Sequence, residues 1–420
     1  MNKKPYFITT PIYYVNDVPH IGHAYTTVAA DVYARWRKSM GQDVRLLTGT
    51  DEHGDKIEKA ATARGKDVKS YADEISSVFR ETWDKLCVQY DRFIRTTDSD
   101  HGATVKQFMQ KIYDRGFVSK GIYEGLYCVG HEAFLNESDL VDNKCPDHQT
   151  IPERHKEENY FFHLSKFQDQ LIKLIESDEL VIAPDERKNE ILGKLRQGLE
   201  DISISRSMKK TKWGIPIPRD ETQTVYVWVD ALINYYTYGS QEKCWPADLH
   251  LVGKDILWFH SVVWPALLLA AGEEPPKKVF AHGFFTIGGQ KMSKTLGNVI
   301  TPDEITQKFG VDGARYLLLS AFPFGADGDF DWDKLTEKYN ADLANGIGNL
   351  AARITTLAAE QEINLLGLSG ESQKYIDSLA QEYQNLMESL EFYGAINIIQ
   401  QLVSYADQLK DHVDRTPGCA

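Results

Sequence analysis

Cysteine is scarce in this chain: 420 residues hold five, an odd number. Nothing at Met1-Asn2-Lys3-Lys4 resembles a secretory signal. A disulfide framework is therefore not expected, and the chain reads as a protein of a reducing, cytoplasmic compartment. Long apolar runs are missing too. None reaches the roughly 20 residues that cross a bilayer, so no membrane association is expected. Basic residues are in deficit, 47 Lys and Arg against 61 Asp and Glu, for a net charge of −14. That excludes broad affinity for nucleic acid, which needs clustered cations, but leaves room for one local basic face. There is no internal repeat, no low-complexity tract and no heptad run long enough for a coiled coil. What is present, 42% hydrophobic residues, suffices for one large core with smaller modules, expected as a monomer.

Tyr6 to Thr10 is aromatic and β-branched and reads as a buried strand. A turn-rich loop with Pro11, Asn16, Asp17 and Pro19 follows. From His20 to about Met40 there is no proline, and Ala24, Val28, Val32 and Trp36 recur every four residues, the spacing of a helix. Arg37 and Lys38 favour its C-terminal end. Val44 to Thr48 is the next strand, which completes a β-α-β unit of Rossmann type. His20 and His23 stand three apart in the first turn and share a face. Gly22 between them removes a side chain where a ligand could press on the backbone. A helix start also offers free N–H groups and a field that favours anions.

Further on, Val279 to Phe285 reads as a strand and Gly288-Gly289 as a mobile turn. Lys291, Ser293 and Lys294 follow in a segment of small polar residues. Two ammonium groups on a loop could close over a triphosphate and neutralise leaving pyrophosphate. The two motifs, His20-Ile21-Gly22-His23 and Lys291-Met292-Ser293-Lys294-Thr295, together read as a split site for the triphosphate of ATP. They resemble the HIGH and KMSKS motifs of class I aminoacyl-tRNA synthetases, with Thr295 in place of the final serine.

The resemblance extends to Thr9 through Asn16, Gly49 through Gly54, Tyr226 through Ala231 and Val252 through Ile256, which are similar to the methionyl-tRNA synthetase family. It implies a methionine pocket of Ile12, Tyr14, Trp228, Ala231, Tyr235, Ile256, Phe259, His260 and Trp264, with Asp51 holding the substrate ammonium. The residue types agree: a thioether suits an apolar, aromatic-walled slot, and one carboxylate follows a predicted strand at the end where α/β ligands bind. Ordinary core aromatics are the plain alternative for Trp228, Tyr235, Phe259 and Trp264. Gly253 and Asp255 are placed near the adenosine, Asp255 on ribose hydroxyls or, alternatively, as a helix cap. With His20, Gly22, His23, Lys291, Ser293 and Lys294 they form the expected ATP site, and Mg2+ is implied by the triphosphate charge.

Between the Rossmann halves, Cys128-Val129-Gly130-His131 and Cys145-Pro146-Asp147-His148 have the spacing of a closed zinc knuckle. His131 stands where the family commonly has cysteine, and a metal-free hairpin is the alternative. The other cysteines, Cys87, Cys244 and Cys419, show no pairing pattern. Arg206, Lys209, Lys210 and Lys212 form a basic cluster that reads as a solvated turn. Pro323 to Trp332 reads as a Gly- and Asp-rich linker. Leu343, Ile347, Leu350, Ile354 and Leu357 then mark an amphipathic helix, with two more helical stretches from Ser372 to Leu390 and Gly394 to Leu409. Asn349 and Arg353, four apart, match residues that the family presents to the anticodon. The family commonly has Pro-Trp near the end of this bundle. Here Pro417 is followed by Gly418, Cys419 and Ala420, so the bundle is expected to be truncated.

The expected architecture is an α/β Rossmann-type parallel sheet split by an inserted zinc-knuckle module and followed by a partial α-helical anticodon-binding bundle. The boundaries run 1–115 and 225–322 for the sheet halves, 116–224 for the insertion, 323–340 for the linker and 341–420 for the bundle. The resemblance implies ATP-dependent activation of L-methionine and its transfer to methionine tRNA. Rival readings are a class I enzyme for another amino acid, a non-catalytic paralogue that binds tRNA or methionine, and a nucleotidyltransferase. The short insertion, the intact motifs and the C-terminal helices weigh against them in turn.

Overall fold

The structure, a computed structural model, describes residues 4–128, 133–135, 140–146, 149–209, 211–292, 297–360 and 368–413. It divides into two compact units, one of residues 1–18, 37–81 and 89–281, the other of 19–36, 82–88 and 282–420.

The first unit is built on a six-stranded sheet. Its elements are β1 (Tyr6–Tyr14), β2 (Val44–Asp51), β3 (Arg92–Arg95), β4 (Val181–Ala183), β5 (Leu249–Gly253) and β6 (Lys278–His282). Spatial order is β3-β2-β1-β5-β6-β4. β3, β2, β1 and β5 pair in parallel, as do β6 and β4. The order reverses between β1 and β5, so the crevice at their carboxyl ends is the position where open α/β sheets bind ligands.

β1 runs past the expected end at Thr10 to Tyr14, with a register shift against β2 between Thr9 and Ile12. Pro11 lies inside that shift. It has no N–H to give the ladder, and a bulge is where a sheet tolerates it. Beyond it the strand alternates: Tyr13 is buried and stacks on Phe79 at 5.6 Å, while Ile12 and Tyr14 face the other way.

The insertion is less separate than the sequence suggests. Its stretch from Leu164 to Leu195 supplies β4, and Leu171, Ile175, Leu180, Ile191 and Leu195 join the main core. These side chains recur at helical spacing because they belong to helices Gln168–Glu176 and Asp185–Leu195, which bury one apolar face each. The rest forms antiparallel sheets, one of them pairing Val118–Cys128 with Glu153–Phe162.

In the second unit, helix Ile21–Ser39 carries Arg37 and Lys38 in its last turn, as expected. Its buried Asp31 is matched by Arg35 Nε at 2.9 Å and Arg315 Nη2 at 2.5 Å, as a charge without water requires. Helix Pro302–Ser320 opens with a capping box between Thr301 and Glu304 and proline in its first turn. The region expected as a linker is packed. Gly328–Asp329 pairs with Phe285–Ile287, and Phe322, Phe324 and Phe330 join Tyr25, Phe285 and Phe392 in one aromatic cluster. Its Gly and Asp content disguised three aromatics, Phe324, Phe330 and Trp332, that outweigh them in apolar area.

Helices Trp332–Tyr339, Asn349–Glu360, Gly370–Glu388 and Phe392–Val413 follow. The single helix expected through Leu343 and Leu357 is interrupted at Gly346, where ψ is −106°. Glycine can take up that backbone angle at low cost. Of the five-residue apolar stripe only Leu350 is buried, and Ile347 and Ile354 are 46% and 44% exposed. Among the described residues no helix is long and apolar enough to cross a membrane.

Candidate active site

A cavity of about 650 Å³, counting its open mouth, lies in the first unit at the carboxyl ends of β1 and β2. Eight of the ten expected methionine residues line it: Ile12, Tyr14, Asp51, Trp228, Ala231, Tyr235, Ile256 and His260. β1 supplies Ile12 and Tyr14 through the phase set at Pro11. Helix Val227–Gln241 supplies Trp228, Ala231 and Tyr235 from one face, at helical spacing. Asp51 ends β2 and is the single carboxylate of the lining.

Phe259 and Trp264 are placed elsewhere. The Phe259 ring lies flat on Trp228, 4.2 Å between centroids and 6° between planes, so it backs the wall rather than forming it. Trp264 is fully buried against Phe108 and Trp245. Residues Phe259–Val263 form a π-type turn, and Trp264 after it sits behind the cavity residue Tyr235, 6.2 Å between ring centroids. Pro11, Lys56, Val227 and Leu232 also line the cavity and escaped the sequence reading. Lys56 was findable: it opens helix Asp55–Ala63 directly after β2, where α/β sites place their side chains.

His260 and Tyr235 of the slot are neutral. His260 Nδ1 lies 3.0 Å from the Ile256 carbonyl, which can only accept, so Nδ1 donates. His260 Nε2 then accepts from the Tyr235 hydroxyl at 2.8 Å. Burial pushes the His260 imidazole down to about 4 and that of adjacent His250 well below its usual value. The His260–Tyr235 pair is thus an uncharged part of the lining, and Asp51 and Lys56 carry its charges. At the end of β5, Gly253 leads into a single turn, Lys254–Ile256, in which Asp255 is exposed.

In the second unit the two histidine rings stack, 3.7 Å between centroids. Gly22 N–H donates to His20 Nδ1 at 3.1 Å, and His20 N–H to His23 Nδ1 at 3.2 Å. Both Nδ1 atoms therefore accept, and in the neutral ring the proton resides on Nε2. Each imidazole therefore carries its donor at Nε2. A Cβ on Gly22 would stand 2.9 Å from His20 Cε1 and 3.7 Å from Met292 Cε. Gly22 makes room for the His20 ring, and Met292 of the second motif comes alongside the first.

The free N–H groups expected at this helix start are not free. Ile21 N–H donates to Ile300 O, Gly22 N–H to His20 Nδ1, and those of His23 and Ala24 to His20 O. The doubled-back His20 caps its own helix, so any anion here meets imidazole donors rather than backbone ones. The Gly288-Gly289 turn, expected as mobile, is a tight hairpin with φ of 59° and 73°. Gly289 N–H is tied to Asp329 Oδ1 at 2.8 Å. Lys291 ends the hairpin strand, and its side chain, like Ser293 and Lys294, lies outside the described residues.

Cys128 and Cys145 are fully buried, whereas His131 and His148 lie outside the described residues. Among the described residues no three His, Cys, Asp or Glu side chains gather as metal ligands. Arg206 does not sit in a solvated turn. It is buried over the Tyr226 ring at 4.1 Å and donates to Ser205 O at 2.7 Å. Asn349 and Arg353 are both exposed on one helix, and Arg353 lies 3.6 Å from Asp407.

The chain belongs to the class I tRNA synthetases: the family profile described as tRNA synthetases class I (M) matches residues 6–152 and 138–355. Curated relatives similar to it include methionine–tRNA ligases. The one from Caldanaerobacter subterraneus subsp. tengcongensis is 45% identical over 97% of this chain and 66% of its own length. That from Nostoc is 42% identical over 99% of this chain and 82% of its own. The solved structure of Mycobacterium tuberculosis methionyl-tRNA synthetase in complex with methionyl-adenylate is 36% identical. It superposes with a TM-score of 0.92 over 99% of this chain and 86% of that one. This chain spans 66% of the length of the Caldanaerobacter and Thermotoga maritima relatives.

The buried neutral histidines carry a pH signature. His260 in one unit and His282 in the other are both held at about 4 by burial, against roughly 6.5 in an unfolded chain. Between these values the unfolded chain binds more protons. Stability is full above the unfolded value and declines as pH falls through the window, by about 3 kcal/mol per histidine at its lower end. Thermal unfolding at pH 7 and pH 4.5 is expected to show a clear fall in Tm, and equal midpoints would contradict it.

Proposed function

We propose that this chain carries methionine–tRNA ligase activity: activation of L-methionine by ATP to methionyl-adenylate, then transfer to the terminal ribose of methionine tRNA with release of AMP. The observation that carries the reading is a cavity whose lining is aromatic and apolar apart from His260, one carboxylate, Asp51, and one lysine, Lys56. An α-amino acid with a linear, soft side chain has that complement. Asp51 pairs with the ammonium. Ile12, Tyr14, Trp228, Ala231, Tyr235, Ile256 and His260 enclose the thioether, with Phe259 supporting Trp228.

The methionine carboxylate attacks the α-phosphate of ATP in line, and pyrophosphate leaves. His20 and His23 donate through Nε2–H to phosphate oxygens whose charge grows in the transition state. Lys291 and Lys294 neutralise the leaving pyrophosphate, and Gly253 with Asp255 receives the adenosine, the carboxylate accepting from ribose hydroxyls. Mg2+ arrives with ATP and offsets triphosphate charge. No side chain forms a covalent intermediate. Asn349 and Arg353, exposed four residues apart, would meet unstacked anticodon bases.

Pyrophosphate exchange measured with each of the twenty amino acids tests the assignment. Methionine is expected to exceed leucine and isoleucine by about 10- to 200-fold, the reach of shape selection in an apolar pocket. Equal rates with all three would overturn the pocket assignment.

The donor set of Cys128, His131, Cys145 and His148 suits a four-coordinate zinc with no open position, and both cysteines are buried as such ligands are. Zinc there would fold the insertion and take no part in the reaction. Protein purified without chelators is expected to carry about one zinc per chain, lost in Cys145→Ser. Metal analysis that finds none would favour a bare hairpin.

A further inference from the structure

Helix Val227–Gln241 shows the cavity Trp228, Ala231 and Tyr235, but Asp230 points off that face and is buried. Its carboxylate lies between two imidazoles. His53 Nδ1 is 2.6 Å from Oδ2, and His101 Nε2 is 2.8 Å from Oδ1. Thr237 Oγ1, which donates to Ile233 O, stands 3.1 Å from His101 Nδ1. Burial alone would raise the Asp230 carboxyl, and the two histidines overturn that and hold it at about 2. An anion so deeply buried is retained only against close partners.

The partner of consequence is His53, two residues beyond Asp51. The short run after Asp51 is held at every residue. Arg95 forks onto Glu52 at 2.6 and 2.8 Å, and Thr97 adds 2.6 Å. Gly54 N–H donates to Trp213 O, whose indole N–H returns to Glu52 O at 2.6 Å. Those contacts fix the run to its own surroundings. Only the His53–Asp230 bond among them joins it to the helix that forms the aromatic wall.

We propose that Asp230, acting through His53, is a positioning residue that sets the distance between the ammonium-binding Asp51 and the side-chain slot. The inference rests on the methionine reading above. Two probes separate the ends of the ligand. Methioninol keeps the ammonium and thioether, whereas 4-(methylthio)butanoate keeps the thioether without an ammonium. Binding of each is measured by calorimetry to the whole chain, parental and variant, with thermal unfolding alongside.

Asp230→Asn strands two buried imidazoles and is at risk of not folding, so His53→Ala is the principal variant. It is expected to weaken methioninol about tenfold, the scale of a sub-ångström misplacement, with butanoate binding changed less than twofold. His53→Asn places an amide N–H near the position of Nδ1 and is expected to restore methioninol to within threefold. Equal loss for both probes would reduce the contact to general packing and overturn the proposal, as would unchanged methioninol binding. Parental protein that binds neither methionine nor methioninol would overturn the function itself, a separate result.

Discussion

His23→Ala is expected to slow methionine-dependent pyrophosphate exchange by about 10²–10³-fold, the cost of removing one preorganised oxyanion donor, with the KM for methionine nearly unchanged. The expectation comes from the tautomer. His20 N–H occupies His23 Nδ1 at 3.2 Å, so the neutral ring carries its proton on Nε2, the tautomer that can donate to a phosphate oxygen. Backbone groups cannot substitute, because the first-turn N–H groups are already committed. A contact made chiefly in the transition state lowers kcat and leaves ground-state affinity alone. His23→Gln, which keeps an N–H at comparable reach, is expected to retain more activity than alanine. Exchange within threefold of the parent for His23→Ala would remove the ring from the chemistry.

Asp51→Asn is expected to act on the other kinetic constant. It is nearly isosteric, so the cavity keeps its shape, but it leaves the substrate ammonium without an anion in a largely buried position. Removing one partner of such a pair costs about 3–5 kcal/mol, or roughly 10²–10⁴ in kcat/KM. The loss should fall on KM, since the ammonium is held alike in the ground and transition states. A change in KM below threefold would show that the ammonium is bound elsewhere, with Asp51 merely closing β2.

What was legible in the residues followed from periodicity and punctuation. Helix Ile21–Ser39 begins and ends where its apolar spacing and terminal Arg37 and Lys38 place it. Asp51 falls at the end of its strand. Misplacements arose where a local feature breaks the period. Trp264 follows the π-type turn that contains His260 and is buried behind Tyr235, 6.2 Å between ring centroids. The stripe from Leu343 to Leu357 looks continuous in one dimension, yet Gly346 breaks it. His20 does cap the helix it begins, through its own ring and carbonyl, a role its position before the helix allowed beside that of a phosphate donor. Polarity misled around residues 323–332, where Gly and Asp suggested a linker and the phenylalanines decided the packing. Lys56 passed unnoticed because a search for one carboxylate does not look for a neighbouring cation.

The bulge at Pro11 gives β1 two independent tasks. Before it, Phe7 and Ile8 are committed to the core; after it, Tyr13 continues in the core while Ile12 and Tyr14 face the cavity. Substitutions at Ile12 or Tyr14 can therefore reshape which side chain the slot admits while the sheet keeps its packing. Deletion of one residue at Pro11 would exchange the faces, sending Tyr13 into the cavity and its two neighbours into the core. The shape of the slot is thus adjustable by point replacement in this strand but intolerant of changes in length, a constraint on any attempt to redesign which side chain it admits.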